Sequence, residues 1–301
     1  MLAISIKEDR IGFLSAFFSK GDYVINDFGI LNLKPKEFSH EVIEKILNRK
    51  KIKNSNIVSN KCIISIGIEN VYLNQIFSSD KVESDTMVNW VNDLMFGGMH
   101  SSLYNDYHYE MFENNGILSI YIEKSRQLDY LSHCKKSKLM LSGLSLDILS
   151  ADYVARKMFD ADQVGDYVIW ALGKQKDDML IVKNNRLAGL VSFKRLRKGF
   201  EILKKIGSQK LISKSLEKMN SKNFMDFESV DFTKKIFVYQ KCFASSDLKK
   251  ILKKNKDSIT VLNPLMKIDS YKKKRSDELG LSFLSEMGYI FKIIKERTSS
   301  V

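Results

Sequence analysis

Apolar residues occur along this chain in short runs separated by polar turns, and the runs follow the same order twice. Each series contains three apolar segments, a helical stretch and a fourth apolar segment, and most segments have the length of a buried strand. The pattern therefore predicts a duplicated βββαβ unit. The first unit has strands at 2–6, 11–18, 23–33 and 62–68 with a helix at 37–49, and the second has strands at 167–172, 179–182, 187–193 and 236–239 with a helix near 197–219.

The segment between the two units has a pattern of its own. Asp85 is placed to begin a helix with Trp90 on its apolar face, and the glycine pair at 97–98 ends it, because glycine tolerates the left-handed conformation of a helix stop. These features predict a small α/β subdomain inserted at about 69–139. Its elements are a strand at 71–77, the helix, hairpin strands at 104–112 and 117–122, and a second helix at 126–138.

The chain then returns to the first unit before the second unit begins. Leu144, Leu146 and Ile148 alternate as a strand, and Ser150 is placed to cap the helix that follows. We expect a first lobe at 1–165 and a second lobe at 166–301. The second lobe also has an amphipathic helix at 248–252, a short strand at 259–262 and a terminal helix at 276–295.

The composition is that of a folded protein without a membrane span. The 301 residues are 44% hydrophobic, which suits two lobes better than one small core. The N-terminus is soon charged and does not have the pattern of a signal peptide, and no run approaches the ~20 apolar residues that cross a bilayer. We therefore expect a cytoplasmic protein, peripheral at the inner face of the cytoplasmic membrane.

The formal net charge of +13 favours anionic partners. The basic clusters are scattered and few contain the interleaved aromatic residues of a base-stacking platform, so nucleic acid is disfavoured and most of the charge is expected to be solvated. An anionic membrane surface or an acidic partner is the remaining expectation. The clusters lie at 49–53, 135–138, 194–198, 249–254 and 272–275.

The cysteines and histidines do not show metal-ligand spacing. Cys62, Cys134 and Cys242 are far apart and odd in number, which indicates a reducing compartment and no zinc site. The histidines do not pair with cysteines or carboxylates at ligand spacing, and we expect surface or packing roles for them. They are His40, His100, His108 and His133.

A series of short stretches along most of the chain carries a family resemblance. They are the tryptophan-containing helix at 87–92, the strands at 104–107 and 118–124, the strand, acidic turn and helix at 146–156, the hairpin at 179–186, and the Asn-Pro turn at 263–264 with the glycine-containing helix at 286–289. In this order they resemble the family of the type IV pilus assembly protein PilM, whose members are actin-like proteins akin to FtsA. The resemblance implies a duplicated actin-like, ribonuclease H-like two-lobe α/β fold, with a reduced helical subdomain at about 199–235.

In that superfamily, the first turn of each repeat wraps the ATP phosphates, with glycines for close approach and an aspartate for Mg²⁺. The first turn of this chain lacks the Asp-x-Gly opening and has Lys7 at one expected position. In the second turn Gly173 matches the family glycine, but Ala171 replaces the aspartate, and the adenosine turn at 240–244 contains no glycine. The candidates left for cofactor binding are Lys7, Gly173 and Lys174.

These losses predict a protein that is not an enzyme. Losing a group that stabilises charge in the transition state commonly costs on the order of 3 kcal/mol of barrier. We expect no catalytic residue, no metal and no required cofactor, with Lys7, Lys174 and Lys176 as ordinary exposed turn residues. Residual binding of ATP and Mg²⁺ through these lysines is the alternative.

The resemblance implies a non-catalytic cytoplasmic scaffold of a type IV pilus or related secretion machine. Such a protein binds the N-terminal cytoplasmic tail of an inner-membrane partner in a groove between its first lobe and the insertion. The charge would add attraction to an anionic leaflet, and the resemblance also allows a homo-oligomer. Two alternatives stay open: an active ATPase or small-molecule kinase that uses Asp9 or Asp177, and a basic nucleic-acid-binding protein.

Overall fold

Strands make up most of the frame of this protein. The computed structural model describes residues 1–8, 10–19, 22–49, 52, 60–77, 84–97, 99, 103–111, 116–174, 176–196, 199–220, 235–241, 259–267, 286–288 and 290. The strands are β1 (Leu2–Lys7), β2 (Arg10–Ser19), β3 (Asp22–Leu31), β4 (Lys61–Ile66), β5 (Tyr72–Phe77), β6 (Tyr104–Glu110), β7 (Gly116–Glu123), β8 (Met140–Leu146), β9 (Tyr167–Leu172), β10 (Lys176–Lys183), β11 (Arg186–Leu196), β12 (Gly199–Gly207), β13 (Lys235–Gln240) and β14 (Ile259–Val261). The helices are α1 (His40–Leu47), α2 (Ser84–Phe96), α3 (Lys124–Lys136), α4 (Asp147–Met158), α5 (Ala161–Val164) and α6 (Gln209–Asn220).

Two of the sheets are built on the same plan. The first has the strand order β3-β2-β1-β4-β8, and the second has the order β11-β10-β9-β13-β14 with β12 added outside β11. In each sheet the three strands that come first in the chain pair antiparallel, and the last two pair parallel; the added strand β12 is antiparallel to β11. The predicted duplication of a βββαβ unit is therefore confirmed.

The central strands are buried on both faces, as their unbroken apolar sequences require. Every residue of β1 and of β9 is buried. Helices α1 and α3 pack together, with α3 also on β8, whereas α4 contacts strands of both sheets. The larger buried core runs from the first sheet into the second, and joins Ile4 and Ile64 to Ile169 and Phe237. The two halves thus share one hydrophobic core.

The inserted segment forms a third sheet with the order β5-β7-β6. Helix α2 packs on it through Val88, against Ile76 and Ile117. This subdomain also bonds to the second sheet: Lys204 Nζ of β12 donates to the carbonyl oxygens of Ile68 and Val71, at 2.9 and 2.5 Å. The insertion therefore bridges the two halves of the molecule.

The helix predicted near 197–219 is wrong in its first half. Residues 199–207 form β12, which pairs antiparallel with β11, and the helix begins only at Gln209. Gly199 and Gly207 have positive φ angles of 101° and 97°, which side-chain-bearing residues rarely adopt and which an α-helix cannot include. Pairing with an available sheet edge therefore decides the conformation of this segment.

A second correction concerns the strand that was expected to run to Ile148. Strand β8 ends at Leu146, and α4 begins at Asp147. Ile148 and Ser150 therefore lie within the first turn of the helix, and Ser150 is not its N-cap. Asp147 is acidic at a helix start, where the helix dipole favours a carboxylate.

Several expectations concern segments beyond these elements. The predicted helix at 248–252 lies outside the described residues, as does the predicted terminal helix at 276–295 apart from 286–288 and 290, which are helical. The lobe limits at 165/166, the insertion limits at 69–139 and the subdomain at 199–235 stay predictions. Among the described residues, no helix has the length and apolar character needed to cross a lipid bilayer.

Candidate functional site

Charged residues stand directly at the carboxyl ends of buried strands. Lys7 ends β1, Asp147 follows β8, and Lys241 follows β13. Because the parallel strands of a sheet run in one direction, their carboxyl ends meet at one edge. In this fold that edge faces the cleft between the two duplicated halves. We call the buried group there the cleft cluster: Lys7, Asp147, Asp178, Tyr239, Lys241 and Glu286.

The first half of the cleft cluster surrounds Lys7, which is 2% exposed. Its Nζ lies 3.8 Å from Asp147 Oδ1 and 3.7 Å from Glu286 Oε2. Burial lowers the pKa of Lys7, and the neighbouring Glu286 and Asp147 carboxylates oppose this effect. The Ser5 hydroxyl donates to Glu286. A Cβ at Gly12 would lie 2.4 Å from Glu286 Oε1, so a side chain there would collide with the carboxylate. Glycine at this position leaves room for Glu286.

The second half of the cleft cluster belongs to the second sheet. Lys241 Nζ donates to the Asp178 carboxylate, and both side chains are buried. Burial alone would lower the pKa of Lys241, but the Asp178 and Asp147 carboxylates outweigh it and raise the pKa. Tyr239 Oη donates to Asp147 Oδ2 at 3.1 Å, which links the two halves of the molecule. Burial and the Asp147 charge together raise the pKa of Tyr239.

The turn between β9 and β10 is held by a separate carboxylate. Asp177 accepts the Gly173 backbone N–H at 2.9 Å and the Trp170 Nε1–H at 3.0 Å, and Arg195 Nε lies 3.1 Å from it. Burial raises the pKa of Asp177 to about 6, against the opposing effect of the Arg195 charge. A Cβ at Gly173 would lie 1.9 Å from the Lys176 carbonyl oxygen. The tight turn itself therefore requires this glycine.

The predicted cofactor-binding residues differ in their burial. The expectation that Lys7 is an exposed turn residue is wrong, because Lys7 is buried beside two carboxylates. Lys174 is exposed, and Gly173 is buried at the end of β9. Asp9 lies outside the described residues. Of the turn at 240–244, only Gln240 and Lys241 are described, and both are buried.

Five residues of the cleft cluster were not predicted as site residues: Asp147, Asp178, Tyr239, Lys241 and Glu286. For two of them a signal exists in the sequence, since Asp147 and Lys241 each follow an apolar strand directly. A charged residue at the end of a buried strand has to find a partner, because an unpaired buried charge is costly. The partners themselves come from distant segments, and the sequence alone does not indicate them.

Two of the three cysteines lie together in the core. Cys62 and Cys134 are both buried free thiols and contact one another, although they are far apart in the sequence. Cys242 and His100 lie outside the described residues. His40 and His133 stack at 6.4 Å between ring centroids. Within the described part of the chain, no three His, Cys, Asp or Glu side chains are arranged to hold a metal ion.

A groove of about 430 Å³ lies beside the cleft cluster, and we call it the side groove. Its walls come from the inserted sheet, the first sheet, α4 and the β10–β11 hairpin, so it is built where the insertion meets both halves. Its apolar lining includes Ile122, Leu144, Leu149, Val182 and Leu187. Tyr107, also in the lining, is 40% exposed, whereas most of these apolar residues are buried. Its volume is within the range of ligand pockets.

One end of the side groove is polar. Asp152 accepts hydrogen bonds from Tyr167 Oη at 2.6 Å and Arg156 Nε at 2.9 Å, and Arg156 also donates to the Asn185 carbonyl at 3.0 Å. Burial raises the pKa of Asp152, and Arg156 opposes this effect. Arg186 is exposed at the same end. The groove thus combines an apolar body with guanidinium groups at one end.

Comparison with known proteins identifies the fold. No family model matches the sequence, and no curated protein matches it either. A solved PilM–PilN type IV pilus biogenesis complex is similar in structure, with a TM-score of 0.61 and 9% identity over 95% of this chain and 96% of that chain. At such an identity the match shows the fold alone, and the chain has the actin-like fold found in PilM.

Two further structures extend the comparison at lower similarity. The cytoplasmic domain of EpsL, an inner-membrane component of the Vibrio cholerae type II secretion system, gives a TM-score of 0.48 at 8% identity over 95% of this chain and 94% of that domain. A Bacteroides thetaiotaomicron protein with an actin-like ATPase fold gives 0.47 at 11% identity over 93% and 94%.

Proposed function

We propose that this chain is a non-catalytic actin-like scaffold of a type IV pilus or related secretion machine. It binds the short cytoplasmic tail of an inner-membrane partner and is thereby peripheral at the inner face of the cytoplasmic membrane. The observation that supports this proposal is a contrast within the molecule. The cleft between the lobes is filled by its own charged side chains, whereas the neighbouring groove is apolar and accessible.

The cleft cluster does not fit a magnesium-bound triphosphate. Its cations, Lys7 and Lys241, already face carboxylates of the same chain. Glu286 takes the space beside Ser5 and Gly12, a residue pair of β1 and β2 that lies two pairs before the turn between these strands. A nucleotide would have to break these buried ion pairs, and each broken pair leaves an uncompensated charge in a poorly hydrated site. We therefore assign no ATPase activity to this chain.

The side groove fits an extended segment of a partner. Its apolar walls favour aliphatic side chains, and the exposed Arg186 at one end favours a carbonyl or carboxylate. Extended peptides that lie in such grooves gain affinity from a few buried anchors. In the solved PilM–PilN type IV pilus biogenesis complex, a protein of this fold is assembled with a second protein.

Site-specific photocrosslinking in the native host tests the proposal. A benzoylphenylalanine in place of Tyr107 is expected to crosslink to the cytoplasmic tail of an inner-membrane protein, identified by mass spectrometry. The matched control is the same substitution at Phe17, which is also 40% exposed and lies away from the groove. Equal capture from both positions, or capture of soluble proteins only, would contradict the proposal.

Calorimetry tests the non-catalytic part separately. Titration of the full chain with ATP and Mg²⁺ is expected to release no binding heat at millimolar nucleotide. The active ATPase or kinase alternative predicts micromolar affinity instead. Because this measurement contains no partner, it separates loss of nucleotide binding from loss of tail binding.

A further inference from the structure

Helix α3 exposes a face that the fold does not use. Leu128 and Leu131 are 60% and 45% exposed, although leucine at two such positions contributes little to the helix itself. Lys124, Leu128, Leu131 and Lys135 follow one another at intervals of four, three and four residues, so they form one ridge along the helix. Together with the exposed Lys136 we call them the lysine–leucine face.

The orientation of this face is fixed by contacts on the other sides of α3. Cys134 is buried, and Tyr130 packs edge-on against Phe38. Arg126 donates to the backbone carbonyl and side-chain oxygens of Asn70, at 3.1 and 2.7 Å. These contacts anchor the helix, so the leucines point outward as a consequence of the fold.

The charges around the leucines favour an anionic lipid surface. Residues 124–138 contain five basic residues and one acidic residue, Asp129. A lysine bordering an apolar ridge places its methylene groups on the hydrocarbon side and its ammonium among lipid phosphates, while leucine enters the acyl boundary. A nucleic acid would need exposed aromatic rings for stacking, whereas Tyr130 of this helix is engaged with Phe38.

Helix α2 shows the opposite combination. Its Trp90 and Leu94 are also more than half exposed, but the sequence Ser84–Phe96 contains no lysine or arginine, and Asp93 lies next to Leu94. An anionic bilayer would repel that helix. Of these two helices, α3 alone has positive charge around its exposed apolar residues.

We propose that the lysine–leucine face of α3 is a lipid-binding surface that docks the protein on an anionic bilayer. Strand β7, whose Ile120 and Ile122 line the side groove, leads directly into α3. Docking through α3 would hold the mouth of the groove near the membrane, where a short tail emerges. This inference adds to the proposed function, and its test contains no partner protein, so the two fail independently.

Co-sedimentation of the full chain with vesicles tests the inference. Binding is expected to vesicles of equal parts phosphatidylglycerol and phosphatidylcholine, to weaken with added salt, and to be absent with phosphatidylcholine alone. Each lysine near an anionic surface contributes a factor of about five to membrane binding. The double substitution Lys135→Glu with Lys136→Glu is therefore expected to lower the partition coefficient between vesicles and water by about 25-fold or more. Leu128→Ser with Leu131→Ser is expected to lower it by about tenfold.

Two controls match these variants. Lys210→Glu with Lys214→Glu changes the net charge equally at exposed positions of α6, and Trp90→Ser with Leu94→Ser removes the exposed apolar residues of α2. Both are expected to leave vesicle binding within about twofold of that of the unchanged protein. The Lys210→Glu with Lys214→Glu variant also has a lower net charge, and added salt screens the general effect of that change. Equal losses in the control and test variants would overturn the inference, as would failure of the unchanged chain to bind anionic vesicles at low salt.

Insertion of α3 can also be observed directly. In a Trp90→Phe background the remaining native tryptophan, Trp170, is buried. A Leu131→Trp substitution then places a second indole on the lysine–leucine face. Its emission is expected to shift to shorter wavelength with anionic vesicles and to be quenched by brominated lipid. An unchanged emission with vesicles bound would show that another surface makes the contact, and would overturn the assignment to α3.

Discussion

The cleft cluster and the side groove lie on either side of α4, and they differ in almost every physical respect. The cluster packs charges from both halves of the molecule into buried contacts, whereas the groove leaves about 430 Å³ among apolar side chains. The C-terminal segment touches both: Glu286 enters the cluster, and Gly288 lines the groove. Helix α4 thus contributes to both regions: Asp147 at its start belongs to the cluster, and Leu149 and Asp152 line the groove.

The cleft cluster buries ion pairs, whereas the side groove has mostly apolar walls, and these two kinds of surface have different effects on stability. A buried ion pair adds little net stability compared with apolar packing, but removal of one partner is severely destabilising. The cleft cluster therefore fixes how the two halves meet, through links such as Tyr239 to Asp147. The groove contains the Asp152–Arg156 ion pair at its polar end, whereas the rest of its described lining is largely apolar.

The largest expected effect comes from leaving one charge of the cleft cluster without its partner. Lys241→Met leaves Asp178 buried and uncompensated, since the lysine is the carboxylate's ion-pair partner. We expect the free energy of unfolding to fall by about 3–5 kcal/mol, measured by urea denaturation. Adding Asp178→Leu removes the stranded charge and is expected to restore most of the loss.

An exposed ion pair in the same sheet supplies the control. Lys194 and Glu201 lie 3.9 Å apart and are 44% and 52% exposed. Because solvent screens such pairs, Lys194→Met is expected to change the free energy of unfolding by no more than about 0.5 kcal/mol. Similar losses at Lys194 and Lys241 would show that water reaches the cleft and that the two regions do not differ as described.

A smaller effect is expected where the second turn borders the cleft. A Cβ at Gly173 would overlap the Lys176 carbonyl oxygen, so Gly173→Ala is expected to lower the free energy of unfolding by about 2 kcal/mol as the turn shifts. Thermal unfolding with and without ATP and Mg²⁺ provides the measurement, and nucleotide is expected to change neither protein. A stable variant that lost a nucleotide-dependent shift would instead show that Gly173 is retained for a ligand.

The order of elements along each half could be predicted because each strand carries its own signal. Continuous apolar runs such as β1 and β9 identify buried central strands without reference to the rest of the chain. The turn at Asn184-Asn185 is similarly local, and both residues adopt the positive φ that a tight hairpin needs. Fold prediction succeeded where one segment contains all the required information.

The cleft cluster could not be predicted because its contacts are long-range. Ser5 and Glu286 are 281 positions apart, and Asp147 and Tyr239 are 92 positions apart. Lys7 was expected to be solvated because a lysine in a turn usually is, but the two carboxylates that surround it come from positions 147 and 286, far away in the sequence. The wrong prediction of a helix at β12 has a different cause, because the partner strand β11 is its immediate neighbour in the chain and Leu196 pairs with Gly199.

A substitution that fills the side groove tests the second region of the comparison. It is expected to change the free energy of unfolding less than the substitutions at the cleft do. Leu149 lines the groove from α4, and Leu149→Trp adds volume where the tail is expected to lie. Capture of the membrane partner by the crosslinker at Tyr107 is expected to fall by about tenfold or more, while the free energy of unfolding changes by less than about 1 kcal/mol. Leu94→Trp, on the exposed face of α2, is the control and should leave capture unchanged.

The smallest expected effect is a local titration at the edge of the cleft. The pKa of Asp177 is about 6, above the ordinary value of 3.8, so the folded protein binds a proton that the unfolded chain releases between these pH values. The contribution of this carboxyl group to the free energy of unfolding is therefore greatest below pH 3.8, falls as the pH rises through 6, and is constant above that. In NMR spectra the Trp170 indole N–H, which donates to Asp177, is expected to shift with a midpoint near pH 6, while the exposed Trp90 signal stays constant. Asp177→Asn should abolish the shift, and a Trp170 signal that titrates unchanged in that variant would assign the proton to another group.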